Sequence, residues 1–396
     1  MKFTVKKDVF IKPLQLVSTP ATGPAGANPA PVYSNVLLDV RQDHLRMVCV
    51  DERTEMEVTV GQLSGVEPGA TTVNARMLLD SCKTADKGEV ISFEQNDGDP
   101  QVKVSSGNAA VTLVSIDADH FPNVKNIKQI ASFSISESVL RKVINSIAFS
   151  MGDKDMRTFL NGMMLGMSGD QLILATTDAH RLSCRTLKLD EPVSMAQNAA
   201  VESGDANPGD GKTDLQVIIP RQSVLELSKL LSDSKEKIEV IVGLNNIKIV
   251  TPEFSYVTRL VDAKFPVFAQ LFPRDSDLLC EVLMPCDLLR SAIQKVAVIN
   301  SENKVTNARA SCFLSPGKFE IMFENNRRET ARDSFQITYQ GDNRQFSINY
   351  NFVQQILGSC DQSYMKLRLA EKSAVFESPD NKPGSELRYL VMLIKS

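Results

Sequence analysis

The residues that come nearest to a catalytic set stand together in TTDAHRLS, where Asp178, His180 and Ser183 are the residue types of a hydrolytic triad. On one extended strand Asp178 and His180 would share a face. No GxSxG elbow, glycine-rich oxyanion loop or separate nucleophile motif accompanies them, and neither a GxxxxGK[ST] phosphate loop nor a GxGxxG fingerprint occurs. Of the three histidines, His44, His120 and His180, only His180 has a Cys at a helical spacing, Cys184 four residues on, and one such pair falls short of the ligand set of a metal site. Seven cysteines are scattered without CxxC spacing, and an odd number argues against a complete disulfide framework, so reduced structural thiols are expected. The chain reads as non-catalytic, with no metal and no cofactor.

At 396 residues it exceeds what one core ordinarily organises, and two or three domains are expected. The 42% apolar and 23% charged fractions are those of a globular protein, and no apolar run approaches the ~20 residues of a membrane span. The opening MKFTVKKDVFIKPLQLV is broken by Lys12 and Pro13 and lacks a signal peptide's apolar region and cleavage site, so a cytoplasmic protein without membrane contact is expected. A net charge of −4 does not by itself suggest nucleic acid. Contact with DNA would have to come from local Lys and Arg within an acidic whole.

The elements that must position any site come in threes. Val139, Leu140, Val143, Ile144 and Ile147 form the apolar stripe of an amphipathic helix. The same spacing recurs at Leu288, Leu289, Ala292, Ile293 and Val296, and near the start at Val9, Phe10, Pro13, Leu14 and Val17. Alternating runs ending in an acid or amide repeat as LRMVCVD to Asp51, LILATTD to Asp178 and FEIMFEN to Asn325. A helix followed by a strand is expected from Asn74, again from Pro220 and again from Asn349, and Phe121-Pro122 matches Phe265-Pro266. Early elements of copies one and two lie about 127 to 130 residues apart and later ones about 144 to 146, which places an insertion in copy two. The Gly-, Asp- and Ser-rich stretch 190–214 is the candidate, expected to be a mobile surface loop. An α+β chain of three similar domains follows, with divisions at 1–127, 128–272 and 273–396.

Basic residues recur opposite the apolar stripes. The first helices carry Lys12, then Arg141 and Lys142, then Arg290; the second carry Arg76, Lys83, Arg221 and Lys229, while NYNFVQQILGSC in copy three has none. Recurrence at corresponding helices favours a shared anionic partner over a merely solvated face.

At these residues the chain resembles the beta subunit of bacterial DNA polymerase III, the sliding clamps, over essentially its whole length. The segments that carry the resemblance are MKFTV, KPLQLV, RTFLNGMML, ATTDAHRL, IIPRQSVLEL, KFPVF and the terminal YLVMLIKS. It implies three copies of one fold per chain and two chains closed head to tail into a ring whose helices line a central hole. The implied partners are duplex DNA held without sequence reading, the replicative polymerase, the clamp loader, other proteins bearing clamp-binding peptides, and a second copy of the chain. The residues alone leave open a three-domain scaffold that binds peptides without encircling DNA.

Carried over residue by residue, the resemblance implies a peptide pocket of Leu160, Thr177, Ala179, His180, Arg181, Leu182, Pro266, Leu271, Asn349, Phe352, Val375, Leu390, Val391 and Met392. Contacts to DNA are expected from Lys12, Arg76, Lys154, Arg157, Phe159 and Arg221, and the dimer edges from Val111 and Leu113 meeting Val298 and Ile299. The chain departs from the family pattern at several points. Ala179 replaces a usual Gly, Leu393 and Ile394 replace Pro-Met, Gln270 replaces a basic residue of some relatives, and TGPAGANPAPVYSN lacks an arginine of the early loop. SSGNAAVTLV carries no charge and ENNRRETARD mixes both signs, which implies a less ionic ring interface than in some relatives.

Overall fold

The computed structural model describes residues 1–20, 31–122, 127–196, 215–300 and 308–395. Copy one runs β1 (Lys2–Lys6), α1 (Lys7–Val17), β2 (Asn35–Val40), β3 (Leu45–Val50), β4 (Thr54–Val60), β5 (Ser64–Glu67), β6 (Gly69–Asn74), α2 (Ala75–Thr84), β7 (Val90–Glu94), β8 (Gln101–Ser106) and β9 (Ala109–Ile116). Copy two runs β10 (Gln129–Ser136), α3 (Glu137–Ile147), β11 (Gly162–Ser168), β12 (Gln171–Thr177), β13 (Arg181–Lys188), β14 (Ser194–Met195), β15 (Leu215–Pro220), α4 (Arg221–Leu230), β16 (Lys237–Gly243), β17 (Asn246–Val250) and β18 (Ser255–Arg259). Copy three runs β19 (Leu278–Pro285), α5 (Cys286–Ala297), β20 (Arg309–Ser315), β21 (Lys318–Glu324), β22 (Thr330–Gln336), β23 (Arg344–Asn349), α6 (Tyr350–Gly358), β24 (Tyr364–Ala370), β25 (Ser373–Glu377) and β26 (Leu387–Met392).

All strand pairings among the described residues are antiparallel, and each copy repeats one scheme. The first sheets are ordered β6-β2-β3-β4, β15-β11-β12-β13 and β23-β20-β21-β22. The second sheets are β1-β7-β8-β9, β10-β16-β17-β18 and β19-β24-β25-β26. Between copies, β4 pairs with β18 and β13 pairs with β26. Contacts therefore gather the chain into two compact units that cut through copy two. One holds copy one with β10, β14 and β16–β18; the other holds most of α3, β11–β13, β15, α4 and copy three.

The helices form where the stripes predict. In α3 Leu140, Val143, Ile144 and Ile147 are buried, and in α5 Leu289, Ala292, Ile293 and Val296 are. Val139 and Leu288, the first residues of those two stripes, stay exposed because they stand at the stripe's margin. Asn74 and Asn349 begin the second helices of their copies by accepting from the amides of Met77 at 2.9 Å and Asn351 at 3.0 Å, satisfying donors the helix leaves orphaned. Of the inserted stretch, residues 197–214 lie outside the described residues. Ser194 and Met195 depart from the loop expectation, since β14 pairs with Ala131 and Ser132 at the open edge of β10. Among the described residues, no helix is long and apolar enough to cross a membrane.

Candidate partner pocket and cation sites

In the unit containing copy three, β13, β26 and β25 set Leu182 opposite Leu390 and Leu390 opposite Val375. This row is at most 2% exposed and forms one apolar layer with Met164, Ala175, Ile218, Phe265 and Phe268. The two phenylalanines, spaced i and i+3 in KFPVF, meet edge to face at 6.0 Å between centroids. Around this floor the surface stays apolar: Val267 is 42% exposed, Leu271 51% and Met392 40%, with Pro266 exposed beside them. Leu160 is buried, and Phe159 packs on the same layer. The geometry offers an open apolar shelf on a rigid base, which suits an apolar side chain of a partner.

Strand alternation sends Arg181 and Val391 the other way. Val391, fully buried, belongs to the core of copy three beneath α5 and α6. Arg181 lies 4.4 Å from the ring centroid of Phe352 and 5.3 Å from that of Phe149. It also donates to the Phe149 carbonyl at 2.7 Å, to Asp178 at 2.9 Å and to Gln355. Burial pushes its pKa down from the ordinary guanidinium value, and the Asp178 carboxylate opposes that. Asn349 caps α6. Arg181, Phe352 and Val391 thus lie on the side of the copy-three helices, away from the face that Leu182, Val375 and Leu390 floor, and Asn349 serves as the α6 cap, which corrects their expected place in the pocket. Gln355 and Phe149, which hold Arg181, carry no pattern in the sequence that marks them.

The turn joining β12 to β13 corrects one expectation. Asp178, Ala179 and His180 are not on an extended strand, because Ala179 has φ of 72° and the chain reverses there. Thr177 Oγ1 donates to the Arg181 carbonyl at 2.6 Å and accepts from the Ala179 amide at 3.1 Å. Asp178 Oδ1 accepts from the amides of His180 and Arg181, both at 3.0 Å. The triad residues do not assemble: Asp178 is held by Arg181, His180 is exposed, and Ser183 is buried against Ser150 at 2.6 Å between hydroxyls.

The expected cation sites are placed individually. In the first unit Lys12 lies 3.1 Å from Glu253, and Arg76, its side chain 82% exposed, stands 3.9 Å from Asp80. In the second, Arg157 makes a two-pronged contact with Asp155 at 3.0 Å on each arm, which holds the Asp155 carboxyl down at about 2. Arg221 bonds the Met151 carbonyl at 3.0 Å and lies 3.8 Å from Asp153. Lys154 is exposed with φ of 55°. Of the expected dimer contacts, Val111 is 39% and Val298 78% exposed, Ile299 is partly buried on the copy-three core, and Leu113 at 6% belongs to its own core.

Comparison with known proteins follows the same lines. Residues 1–125 match the DNA polymerase III beta subunit N-terminal domain, and residues 134–267 match its central domain. The beta sliding clamp of Pseudomonas aeruginosa is 31% identical over 394 residues, covering 99% of both chains. The crystal structure of the DNA polymerase III subunit beta from Pseudomonas aeruginosa superposes with a TM-score of 0.87 at 30% identity, over 100% of each chain. A second crystal structure from that organism, of a sliding clamp bound to griselimycin, gives 0.87 at 29%, again over 100% of each chain. On the strength of both matched domains and near full-length identity to a sliding clamp, the chain belongs to the bacterial DNA polymerase III beta subunit family.

Proposed function

We propose that two copies of this chain close into a ring around duplex DNA and hold polymerase there through the shelf over Leu182 and Leu390. The chain is a non-catalytic processivity factor, so its action rests on tethering. The observation that carries the ring is the bookkeeping of strand edges. Each joint between copies pairs the last strand of a second sheet with the last strand of a first sheet: β18 with β4, and β26 with β13. The remaining members of those two classes are β9 and β22. Among the described residues, β9 has no strand beside Ala109–Val114 on one edge, and β22 pairs only with β21. A second copy supplies both missing edges by a heterologous contact that closes after a full turn.

The three copies, divided at 1–127, 128–272 and 273–396, are then the repeating bodies of the ring. Lys12, Arg76, Lys154, Arg157 and Arg221 act as phosphate contacts that fix no base identity, as sliding demands. The shelf takes an apolar anchor of a short partner peptide, with the exposed Met392, Pro266 and Leu271 as its walls. The griselimycin complex of the Pseudomonas aeruginosa relative supports a ligand site in the family. The setting is the bacterial cytoplasm.

The test is retention. Clamps loaded onto nicked circular duplex should survive high salt and be lost when the circle is cut, and the chain should sediment at twice its 43.6 kDa mass. A monomer at micromolar concentration, or equal retention on linear DNA, would overturn the ring.

A further inference from the structure

On the helix side of copy three, two of the seven cysteines are brought to one place by the start of α5 and the end of α6. Cys286 is the first residue of α5, and Cys360 follows α6. The Cys286 amide donates to the Ser363 carbonyl at 2.9 Å, and Arg290, one turn along α5, donates to the Leu357 carbonyl at 2.9 Å. Cys360 lies midway between those two acceptors, so the start of α5 is pinned along the segment that carries it. Pro285 opposite Tyr364 fixes the same register from the strand side. Cys286 lies in the copy-three core and Cys360 packs against that same core, with the Gln362 amide donating to the Cys360 sulfur at 3.4 Å.

The environments of the two sulfurs differ. Cys286 is 1% exposed, whereas Cys360 is half-buried and borders a cavity of about 1300 Å³ that also meets Lys142, Arg185 and Arg290. We propose that Cys360 and Cys286 form a dithiol modification site, in which Cys360 reacts with a peroxide entering from this cavity and Cys286 resolves it to a disulfide. In the first step the Cys360 thiolate attacks the peroxide, the O–O bond breaks, a sulfenic acid forms and hydroxide (or alkoxide) leaves. In the second the Cys286 sulfur attacks the sulfenic sulfur, the S–S bond forms, the S–O bond breaks, and hydroxide takes up the thiol proton as water. Sulfur loses two electrons and the peroxide gains them.

The local donors favour this division of roles. The Cys286 thiol and the Gln362 amide, with the nearby Arg290 charge, hold the Cys360 thiol below its ordinary value, and the Cys360 sulfur together with burial pushes Cys286 up. The other buried thiols Cys49, Cys82, Cys184 and Cys312 are likewise raised by burial and have no cysteine partner among the described residues. The disulfide would tie the start of α5 to the end of α6 and be reversed by a dithiol reductant. A reducing cytosol makes the linkage transient.

The experiment treats the full-length, folded chain with hydrogen peroxide and maps non-reduced peptides by mass spectrometry. The expected product is a single Cys286–Cys360 link, released by dithiothreitol. Alkylation by iodoacetamide near neutral pH should reach Cys360 about tenfold faster than half-buried Cys280, whose thiol is raised. Cys360→Ser should abolish the link, and Cys286→Ala should leave Cys360 advancing to the sulfinic acid. Because Cys286 is buried and its variant could misfold, the wild-type map decides. A different pair, or Cys360 oxidised while Cys286 stays a free thiol, would overturn the proposal.

Discussion

Leu182 and Leu390 stand opposite one another on β13 and β26, one from the middle of the chain and one from its last strand. The pairing makes the end of the chain a structural strand of the sheet begun in copy two, and it floors the shelf on which Met392 is left 40% exposed. Met392→Asp should therefore weaken binding of a short glutamine- and leucine-containing polymerase peptide by about 10-fold to 150-fold, the value of one buried apolar anchor. Fluorescence anisotropy reads the affinity, and an unchanged melting curve shows that the fold is intact. Removing Val391 onward is a poorer test, because Val391 is fully buried in the copy-three core.

Asp178 is the only carboxylate whose ion pair with Arg181 is found among the described residues. With the Arg181 side chain 9% exposed, Asp178→Ala leaves a mostly buried guanidinium without its counter-charge and two turn amides without an acceptor. The loss should be about 3 kcal/mol in urea unfolding. A change below about 0.5 kcal/mol would show that the pair is no support for this turn.

Ala179 holds a left-handed backbone, φ 72°, that an L side chain resists. Ala179→Gly should stabilise the chain by about 1 kcal/mol and leave peptide affinity unaltered, since the Thr177 and Asp178 hydrogen bonds already fix the turn. Chemical denaturation and anisotropy separate the two effects.

Arg157 cannot give both arms to a phosphate while Asp155 holds them. Asp155→Asn should tighten DNA binding at low salt, and Arg157→Ala should reduce the slope of log K against log salt by about 0.9. The carboxyl of Asp155, depressed to about 2, contributes stability that is present above the ordinary aspartate value and is lost as pH falls from there through about 2. An NMR titration should find its midpoint in that low range, moving up toward the ordinary value in Arg157→Ala.

Two substitutions on β9, one exposed and one buried, separate assembly from folding. Val114, 71% exposed on the open edge of β9, should give monomers as Val114→Lys with melting unchanged, whereas Leu113→Asp should unfold copy one because Leu113 is 6% exposed. Sedimentation and circular dichroism distinguish the outcomes.

The sequence by itself determined the repeat. Apolar spacings of 3.6 and of 2 depend only on which residues must face a core, so the helices at Val9, Val139 and Leu288 and the strands ending near Asp51, Asp178 and Asn325 were legible without any fold. It also located the insertion, since unequal offsets between copies need no geometry. The family resemblance, rather than periodicity, supplied the pocket membership.

Tertiary structure alone decided which face each of those residues takes. Leu390 and Val391 are both apolar and adjacent, yet one floors the shelf and the other lies in the copy-three core, because β26 pairs with β13 in one register and alternation follows from it. Local propensity could not foresee that Asp178, Ala179 and His180 form a reversal, since a non-glycine residue there is tolerated only through hydrogen bonds from its neighbours. Nor does separation along the chain reveal that Cys286 and Cys360 share one core; that depends on Arg290 and Ser363 closing α5 onto the segment after α6, which long-range hydrogen bonds fix and composition does not.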